Sequence, residues 1–504
     1  MTHMPILPVI LPLIGGFILL FVKKYGINTQ RTIALAITLA LIVISFFGLC
    51  LAIEEKYVIY LLGNWEAPFG IVLVLDKLSI LMVLMTSILA FGALWYSISE
   101  DIDTKGAHFH VLFQLQLFGI NGAFLTGDLF NLFVFFEILL LASYSLLLHG
   151  QGEGRTKAGL HYVVINLVGS TLFLFAVGTL YGVLGTLNIA DLANKISMLP
   201  SEDVGVVAAA GLLLLVVFGL KAAMFPLYLW LPSAYGRTSA PVAALFAIMT
   251  KVGIYAIIRV HGTLFGYGAG ELAYYHIPWV LNIGLITLIL ATLGVMSAKE
   301  LRTQIAYIVL ASVAVILVSV GINSQNALSG TIYYMIHSTL IAGGFFLLAD
   351  IIIKARGNGD LNSQMPIFQN GILIGSIFFV FAIAAAGLPP LSGFFGKIMI
   401  LSASLDNAQS GSILVTVLLS SLLIVISLAK TGSTIFYDTT PNVQPTAYKL
   451  SKSSMAAVIF LFSTGPLLVI FANPITDFTQ ILANDLFEIN GYVKAVIDIY
   501  MEIP

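Results

Sequence analysis

The sequence predicts an all-α polytopic membrane protein with about 14 transmembrane helices. Of its 504 residues, 59% are apolar and only 9% are charged, and the mean hydropathy is +1.03. Apolar runs of about 20 residues recur along the chain, the length needed to cross a bilayer. Soluble domains contain about 25% charged residues. This chain therefore has too few polar groups to cover a water-facing globule, and lipid must surround most of it.

Composition also excludes several classes of function. The formal net charge of -2 gives no basic surface for nucleic acid. Cys50 is the only cysteine in the sequence, so the chain cannot form an internal disulfide, an Fe–S cluster or a thiolate metal site by itself. No Walker motif is present, and the glycine-rich stretch 266–271 follows no predicted strand. The sequence predicts no cofactor and leaves metal binding open.

The apolar runs define the predicted segments. The first run lacks the basic start and the small-residue cleavage site of a signal peptide, so we interpret it as the first membrane helix. Residues 57–75 predict a short hairpin around an Asn-Trp-Glu-Ala-Pro turn, and the tail 476–504 is predicted to lie along the membrane face. The fourteen segments are 4–22, 31–53, 76–98, 108–126, 130–148, 159–184, 204–230, 240–262, 276–297, 303–322, 326–353, 372–404, 411–437 and 454–475.

Lysine and arginine placement predicts the orientation, because cytoplasmic loops carry an excess of both. Loops after even-numbered segments hold only Lys56, Lys77 and Lys195. Both termini are therefore predicted to be non-cytoplasmic, in a cell membrane. Loops after odd-numbered segments hold Lys23, Lys24, Arg31, Lys105, Arg155, Lys157, Arg237, Lys299, Arg302, Lys354, Arg356, Lys449 and Lys452.

Two segments are interrupted in their middles. Pro226 removes a backbone hydrogen bond from segment seven, and Gly387, Pro389 and Pro390 interrupt segment twelve. Broken helices are tolerated at membrane depth only where they face protein or a water-filled cavity. Each break lies near a lysine, and the breaks are five segments apart. This spacing predicts two inverted five-helix repeats, segments 4–8 and 9–13, each with a broken helix.

The predicted organisation has four parts. Residues 1–107 hold helices one to three and the hairpin, and residues 108–262 form the first repeat. Residues 276–437 form the second repeat, and residues 438–504 hold helix fourteen and the interfacial tail.

Five ionisable residues stand out because each lies within an apolar segment, where a charge costs about 2.5–3.5 kcal/mol. Such groups must face the bundle interior, paired or hydrated. The structural alternative is a protonated or hydrogen-bonded packing role for the glutamate, and snorkelling or structural pairing for the lysines. The candidates are Glu137, Lys221, Lys251, His337 and Lys397.

A contact between Glu137 and Lys221 is expected to form a coupled pair, whose proton occupancy responds to any third charge. His337 can take up and release a proton near neutral pH, although a neutral, hydrogen-bonded core histidine is the alternative. His161, at the start of segment six, is a possible relay or simply marks the interface. Arg259 and Lys430 are expected to snorkel, and helix-end placement explains Asp76, Asp101, Asp128 and Asp350 without function. Asp128 is the exception among these, because it shares its end of the helix with Asn131 and Glu137.

Three motifs in order carry a family resemblance: GDLFNLFVFFEILLLASYSLLL (127–148), GLKAAMFPLYLWLPSAYGRTSAPVAALFAIMTKVGIYAI (219–257) and GLPPLSGFFGK (387–397). From about residue 70 to 440 the chain resembles the proton-pumping antiporter subunits. That group comprises the D subunit of Mrp-type sodium/proton antiporters, the antiporter-like subunits of respiratory complex I and their membrane-hydrogenase relatives. The DLFNLFVFFE form, the TKVGIYAI lysine and the length look most like the Mrp-type D subunit.

The resemblance implies a fourteen-helix fold working within a complex of other hydrophobic subunits, with H⁺ and Na⁺ as transported ions. Glu137 then matches the segment-five glutamate, and Lys221 matches its lysine partner in segment seven. Lys251 matches the central-axis residue. Lys397 matches the terminal lysine of segment twelve, and His337 matches the titratable group between the two halves. Position 161, often lysine in relatives, is His161 here, which weakens its relay role.

Three hypotheses follow. The first is a secondary transporter subunit, not an enzyme, that passes protons along Lys221, Lys251, His337 and Lys397. The second is a proton-pumping membrane subunit of a redox complex, whose redox centres lie in partners. The third is a scaffold that only holds other subunits. Copurified flavin or Fe–S partners favour the second, and small hydrophobic partners without cofactors favour the first.

Overall fold

The computed structural model describes residues 3–65, 70–366, 368–440 and 448–501, which are mostly helical. The helices are α1 (Leu7–Val22), α2 (Ile27–Glu55), α3 (Lys77–Ser99), α4 (Phe109–Leu125), α5 (Leu129–Leu147), α6 (Glu153–Leu184), α7 (Ile189–Ser197), α8 (Val204–Lys221), α9 (Trp230–Arg237), α10 (Ala240–Phe246), α11 (Met249–Ala256), α12 (Gly262–Leu264), α13 (Ile277–Ser297), α14 (Leu301–Ile322), α15 (Gln325–Arg356), α16 (Gly371–Ala386), α17 (Ser392–Ser404), α18 (Ser410–Phe436), α19 (Lys452–Ile470), α20 (Ala472–Phe487) and α21 (Ile489–Met501).

This architecture confirms the predicted all-α polytopic fold. Among the described residues, twelve helical stretches are long and apolar enough to cross a membrane. The two remaining predicted segments correspond to the 17-residue helix α4 and to the broken pair α16 and α17. The inverted relation between the two repeats stays a prediction.

Side-chain caps explain where several helices begin. Asp76 accepts a hydrogen bond from the backbone N–H of Ser79 at the start of α3, and Asp128 accepts one from Asn131 at the start of α5. Such caps satisfy N–H groups that have no partner within the helix. The expectation that Asp76 and Asp128 occupy helix ends is therefore confirmed.

The predicted hairpin is also confirmed. Strand β1 (Tyr57–Leu61) pairs antiparallel with β2 (Val72–Asp76), with Tyr57 opposite Asp76. Its predicted turn lies partly outside the described residues, because 66–69 are not described. A second, two-residue parallel pairing joins β3 (Met365–Pro366) to β4 (Thr439–Thr440).

Burial divides the helices into inner and outer ones. In the most apolar 18-residue stretch of residues 240–264, 100% of the residues are buried. In the corresponding stretches of α2 and α18, only 28% of the residues are buried. The exposed faces of the outer helices carry large apolar side chains such as Phe46, Phe47, Leu418 and Leu422, as expected for contact with lipid. The inner helices α11 and α15 carry two of the candidate residues, Lys251 and His337.

The C-terminal residues form two helices rather than an irregular tail. Helix α20 packs against α15, and α21 packs against α7 and β1. Lys56 and Lys77, beside the hairpin, both form ion pairs with Asp485 of α20, at 3.0 and 2.7 Å. The C-terminal helices are therefore attached to the bundle by charge as well as by apolar packing. Their predicted position along the membrane face stays a prediction.

Candidate functional site

The predicted break in segment seven lies directly after Lys221. Helix α8 ends at this residue, and regular α-helix resumes only at α9, which starts at Trp230. Protein groups satisfy the interrupted backbone: Phe225 N donates to Thr287 Oγ1 at 3.0 Å, and Trp230 Nε1 donates to Leu220 O at 3.1 Å. This agrees with the rule that a broken membrane helix must face protein or water.

Lys221 and Glu137 are joined through α6. Lys221 Nζ donates to Asn166 Oδ1 at 3.0 Å. One helical turn later, Ser170 Oγ donates to Glu137 Oε1. The ammonium also lies over the Phe136 ring, 5.4 Å from its centroid. The glutamate on α5 and the lysine on α8 therefore both contact the same polar face of α6.

The expected direct contact between Glu137 and Lys221 is corrected by this geometry. Among the described residues, Glu137 and Lys221 do not form a direct ion pair. The side chains of Asn166 and Ser170, on α6, lie between them. The two groups remain close enough to interact electrostatically. Coupling between them is therefore indirect, through an amide and a hydroxyl.

Lys251 is fully buried in α11, and its Nζ has no hydrogen-bond partner among the described residues. The hydroxyl of the neighbouring Thr250 is equally unpartnered there. A Cβ added at Gly253 would lie 2.5 Å from Ala222 N, so α11 packs closely against the end of α8, next to Lys221. Buried polar groups without protein partners are commonly satisfied by water, so this position favours hydration.

The second break brings Lys397 and His337 to the same point. Helix α16 ends at Ala386, and α17 starts at Ser392. Lys397 Nζ donates to Ala386 O and to Ser421 Oγ, both at 2.8 Å. His337 Nδ1 lies 2.8 Å from Ser392 Oγ. A cation at the carbonyl end of a helix is favoured by the helix dipole.

His337 connects the two halves electrostatically. Its buried ring on α15 interacts with both Lys397 and Lys251. The structure therefore links Glu137 with Lys221 through α6 and places His337 and Lys397 at the second break, while α11, which carries Lys251, packs against the end of α8. His161 is exposed on α6.

Sequence reasoning missed the neutral groups that connect the charges. Asn166 and Ser170 are polar residues four positions apart on α6, which places them on one face. That spacing was the available signal for the first half. Ser392 directly follows the Gly-Leu-Pro-Pro-Leu break, but Ser421 lies in a serine pair of α18 with no local sign of its role.

Arg259 corrects another expectation. It does not snorkel: it is buried on a π-helical turn, Ile257–His261, where its Nη2 lies 2.6 Å from Asp76 Oδ2. Its Nε also donates to Tyr255 Oη at 3.3 Å. Asp76 therefore pairs with a buried cation besides capping α3. Lys430 is exposed on α18, as snorkelling requires.

Other ion pairs lie near helix ends, away from the two breaks. Asp350 of α15 pairs with Arg302 and with Lys354, the latter at 2.9 Å. Asp103, in the turn before α4, accepts hydrogen bonds from Arg31 at 2.7 Å and contacts His110 at 3.0 Å. Burial alone would raise the pKa of Asp103, but the hydrogen bonds from His110 and Arg31 outweigh it and lower that pKa to about 2.

Comparison with known sequences identifies close relatives along the whole chain. Residues 126–427 match the family described as "NADH:quinone oxidoreductase/Mrp antiporter, TM". The probable D subunit of a K⁺/H⁺ antiporter from Rhizobium meliloti (strain 1021) is 38% identical, over 96% of each chain. The D subunit of a Na⁺/H⁺ antiporter from Bacillus subtilis (strain 168) is 35% identical, over 99% of this chain and 100% of the relative.

Solved structures show the same fold. A chain of the Mrp complex from Dietzia sp. DQ12-45-1b superposes with a TM-score of 0.87 at 25% identity, covering 99% of this chain and 100% of that one. A chain of the membrane-bound sulfane sulfur reductase, an archaeal respiratory membrane complex, gives a TM-score of 0.89 at 23% identity, covering 98% and 100%. The second likeness is one of fold alone.

Proposed function

Because the chain belongs to the NADH:quinone oxidoreductase/Mrp antiporter transmembrane family, we propose that it is a proton-translocating subunit of a multisubunit monovalent cation/proton antiporter. It is a secondary transporter subunit, not an enzyme. Of the ions named for its relatives, we assign Na⁺ as the exchanged cation. The complex lies in the cell membrane, with both termini of this chain non-cytoplasmic.

The observation that carries this proposal is a series of buried ionisable groups joined by neutral polar side chains. Lys221, Lys251 and Lys397 are each at least nine-tenths buried, as is His337. Isolated charges at such positions are costly and are retained in membranes mainly for transport and pairing. Asn166 and Ser421 accept hydrogen bonds from Lys221 and Lys397, and Ser170 donates one to Glu137. An apolar packing role does not require such polar partners.

In the proposed mechanism, a proton moves along Lys221, Lys251, His337 and Lys397 through waters at the broken helices. The step is driven electrostatically. A cation or proton arriving near Glu137 changes the charge that Lys221 experiences through Asn166 and Ser170, and that change alters the proton affinity of the next group. Lys251 Nζ has no hydrogen-bond partner among the described residues, which supports a hydrated middle step.

The two halves of this path correspond to the proposed repeats, residues 108–262 and 276–437. Each contains one broken helix with a lysine beside the break. Other hydrophobic subunits complete the complex, since a chain of similar fold belongs to the Mrp complex.

The alternative function is a proton-pumping membrane subunit of a redox complex, favoured by the fold likeness to an archaeal respiratory membrane complex. The two functions predict different partners. Purification of the intact complex, followed by absorption spectroscopy and metal analysis, distinguishes them: flavin or Fe–S centres support the redox complex, and their absence with small hydrophobic subunits supports the antiporter.

Replacement of the buried glutamate tests the proposed function. Glu137→Ala is expected to abolish cation-dependent proton movement in everted vesicles while the protein still folds and assembles with its partners. Glu137→Asp should retain part of the activity because it keeps the carboxylate. Glu202→Ala, at an exposed position, is the matched control. Full activity of Glu137→Ala in an assembled complex excludes the assigned role and favours a scaffold.

A further inference from the structure

Two small cavities lie on either side of one serine in α14. The first has a volume of about 20 Å³ and is lined by His337, Ser338 and Ser312. The second has a volume of about 10 Å³ and is lined by Lys397, Ser421 and Ser312. Both cavities therefore meet at Ser312, between the histidine and the lysine of the second half.

Several residues line both cavities. Ile308, Ser312, Tyr334 and Ala385 line both of them. Of these four, only Ser312 and Tyr334 carry hydroxyls. One layer of side chains therefore separates the two cavities, and this layer contains hydroxyl groups.

Each cavity has the size and chemistry for one water. A cavity needs about 10–15 Å³ and two to four polar partners to hold a water molecule. The first offers His337, Ser338 and Ser312. The second offers Lys397, Ser421 and Ser312. Lys397 Nζ donates two of its three N–H groups, to Ala386 O and Ser421 Oγ, so one donor is free for water.

On the opposite side, the backbone of the break separates the two titratable groups. A Cβ added at Gly393 would lie 2.7 Å from His337 Nε2, and one at Gly387 would lie 3.0 Å from Lys397 Nζ. Both groups are thus in contact with a peptide backbone that offers no titratable atom. The Ser392 hydroxyl, 2.8 Å from His337 Nδ1, lines neither cavity, so the cavities offer a separate polar path between the two groups.

We propose that the Ser312 hydroxyl relays protons between His337 and Lys397, through one water in each cavity. This inference rests on the proposed function and adds a residue to it. A proton leaves His337 for the first water, which passes one of its protons to Ser312 Oγ. The hydroxyl releases its own proton to the second water. That water protonates Lys397 after Lys397 has passed its previous proton onward and is a neutral amine. Each intermediate gains one proton and loses one.

The environment of Ser312 suits this exchange. Its Oγ donates to Val309 O at 2.7 Å, which leaves both lone pairs to accept from water. Rotation about the Cβ–Oγ bond then directs the O–H toward either cavity. Tyr334 carries the competing hydroxyl, but its ring packs against the His337 ring, with centroids 5.6 Å apart, which restricts its motion.

Removal and restoration of the hydroxyl test the relay. Ser312→Ala is expected to lower the antiport rate in everted vesicles by about tenfold or more, a barrier increase of about 1.4 kcal/mol. Ser312→Thr should restore most of the rate because it keeps the hydroxyl. Ser319→Ala removes a buried hydroxyl from the same helix away from both cavities, so it should leave the rate near that of the unmodified protein.

A second variant keeps the test informative if Ser312→Ala fails to assemble. Ala385→Val keeps every hydroxyl but fills the shared wall, so it should also slow antiport. Assembly is measured for each variant by recovery of the partner subunits. A normal rate for an assembled Ser312→Ala or Ala385→Val variant overturns the relay, and a loss confined to Tyr334→Phe assigns it to the tyrosine instead.

Lys397→Ala, measured on the same membranes, separates the relay from the proposed function. If Lys397→Ala abolishes antiport and Ser312→Ala does not, the relay is wrong and the proposed function stands. If neither variant changes antiport, the proposed function fails as well.

Discussion

Both broken helices place a lysine at the carbonyl end of the helix before the break, but they surround it differently. In the first half, Lys221 belongs to that helix and reaches Glu137 through Asn166 and Ser170. In the second half, Lys397 lies after the break and reaches back to Ala386 O. Its hydrogen-bond partners among the described residues are neutral.

This difference indicates different roles for the two halves. A lysine linked to a carboxylate responds to a charge that arrives near that carboxylate. A lysine held by a carbonyl and a hydroxyl responds mainly to its hydrated neighbours, here His337 and the two cavities. We therefore interpret the first half as the charge-sensitive part of the path and the second half as the part that conducts.

Of the substitutions that test this difference between the halves, Lys397→Arg is expected to have the largest effect. Arginine keeps the charge but does not release its proton in proteins. If the second half conducts, transport should fall by about 100-fold, the scale of a lost proton-transfer group. Cation-dependent proton movement in everted vesicles is the measurement, and Lys430→Arg, at an exposed position of α18, is the control. Retained transport would assign Lys397 a purely electrostatic role.

A smaller effect is expected from Asn166→Leu in the first half. The change removes the acceptor that holds Lys221 while keeping a similar volume. Loss of a hydrogen bond to a charged group costs about 1.5 kcal/mol or more, so transport should fall about tenfold. The control Thr171→Val changes an exposed residue of the same helix. An unchanged rate would contradict coupling of Glu137 to Lys221 through α6.

The fold and the buried ionisable groups could be predicted from the sequence. Burying polar or charged groups in lipid is energetically unfavourable, so membrane spans are apolar runs in which an ionisable residue is easily recognised. Runs of apolar residues and the proline breaks at 226 and 389–390 are local signals. The contacts between these groups are not local. Asn166 lies between Glu137 and Lys221 only because α6 packs between α5 and α8, and Ser421 reaches Lys397 from a separate helix.

The same limit explains the error at Arg259. Its position near the end of an apolar run predicted snorkelling. Instead, a π-helical turn carries Arg259, and Asp76, at the junction of β2 and α3, lies against it. Neither a π turn nor a partner 183 residues away in the chain has a recognisable sequence signal. Buried charges at segment ends therefore require the structure before a role is assigned.

A still smaller effect on transport is expected from alanine substitutions at close-packed glycines, one in each half, which act mainly on stability. A Cβ at Gly393 would lie 2.4 Å from Ala384 O, and one at Gly253 would lie 2.5 Å from Ala222 N. Overpacking of this kind costs about 1–3 kcal/mol. Both alanine variants should lower the unfolding temperature of the purified complex, and Gly393→Ala should also slow transport because it displaces His337. Gly178→Ala, with open space around its Cβ, is the control.

The smallest effect on transport is expected from Asp103→Asn, outside both halves. The pKa of Asp103 is lowered to about 2 from an ordinary 3.8, so its stabilising contribution is complete above about pH 4 and is lost as the pH falls toward 2. The unmodified protein should therefore lose thermal stability over this range more steeply than Asp103→Asn does. Transport at neutral pH should change less than about twofold, as for a substitution away from the path. A changed pH profile in Asp103→Asn would show that this helix-end ion pair belongs to the path.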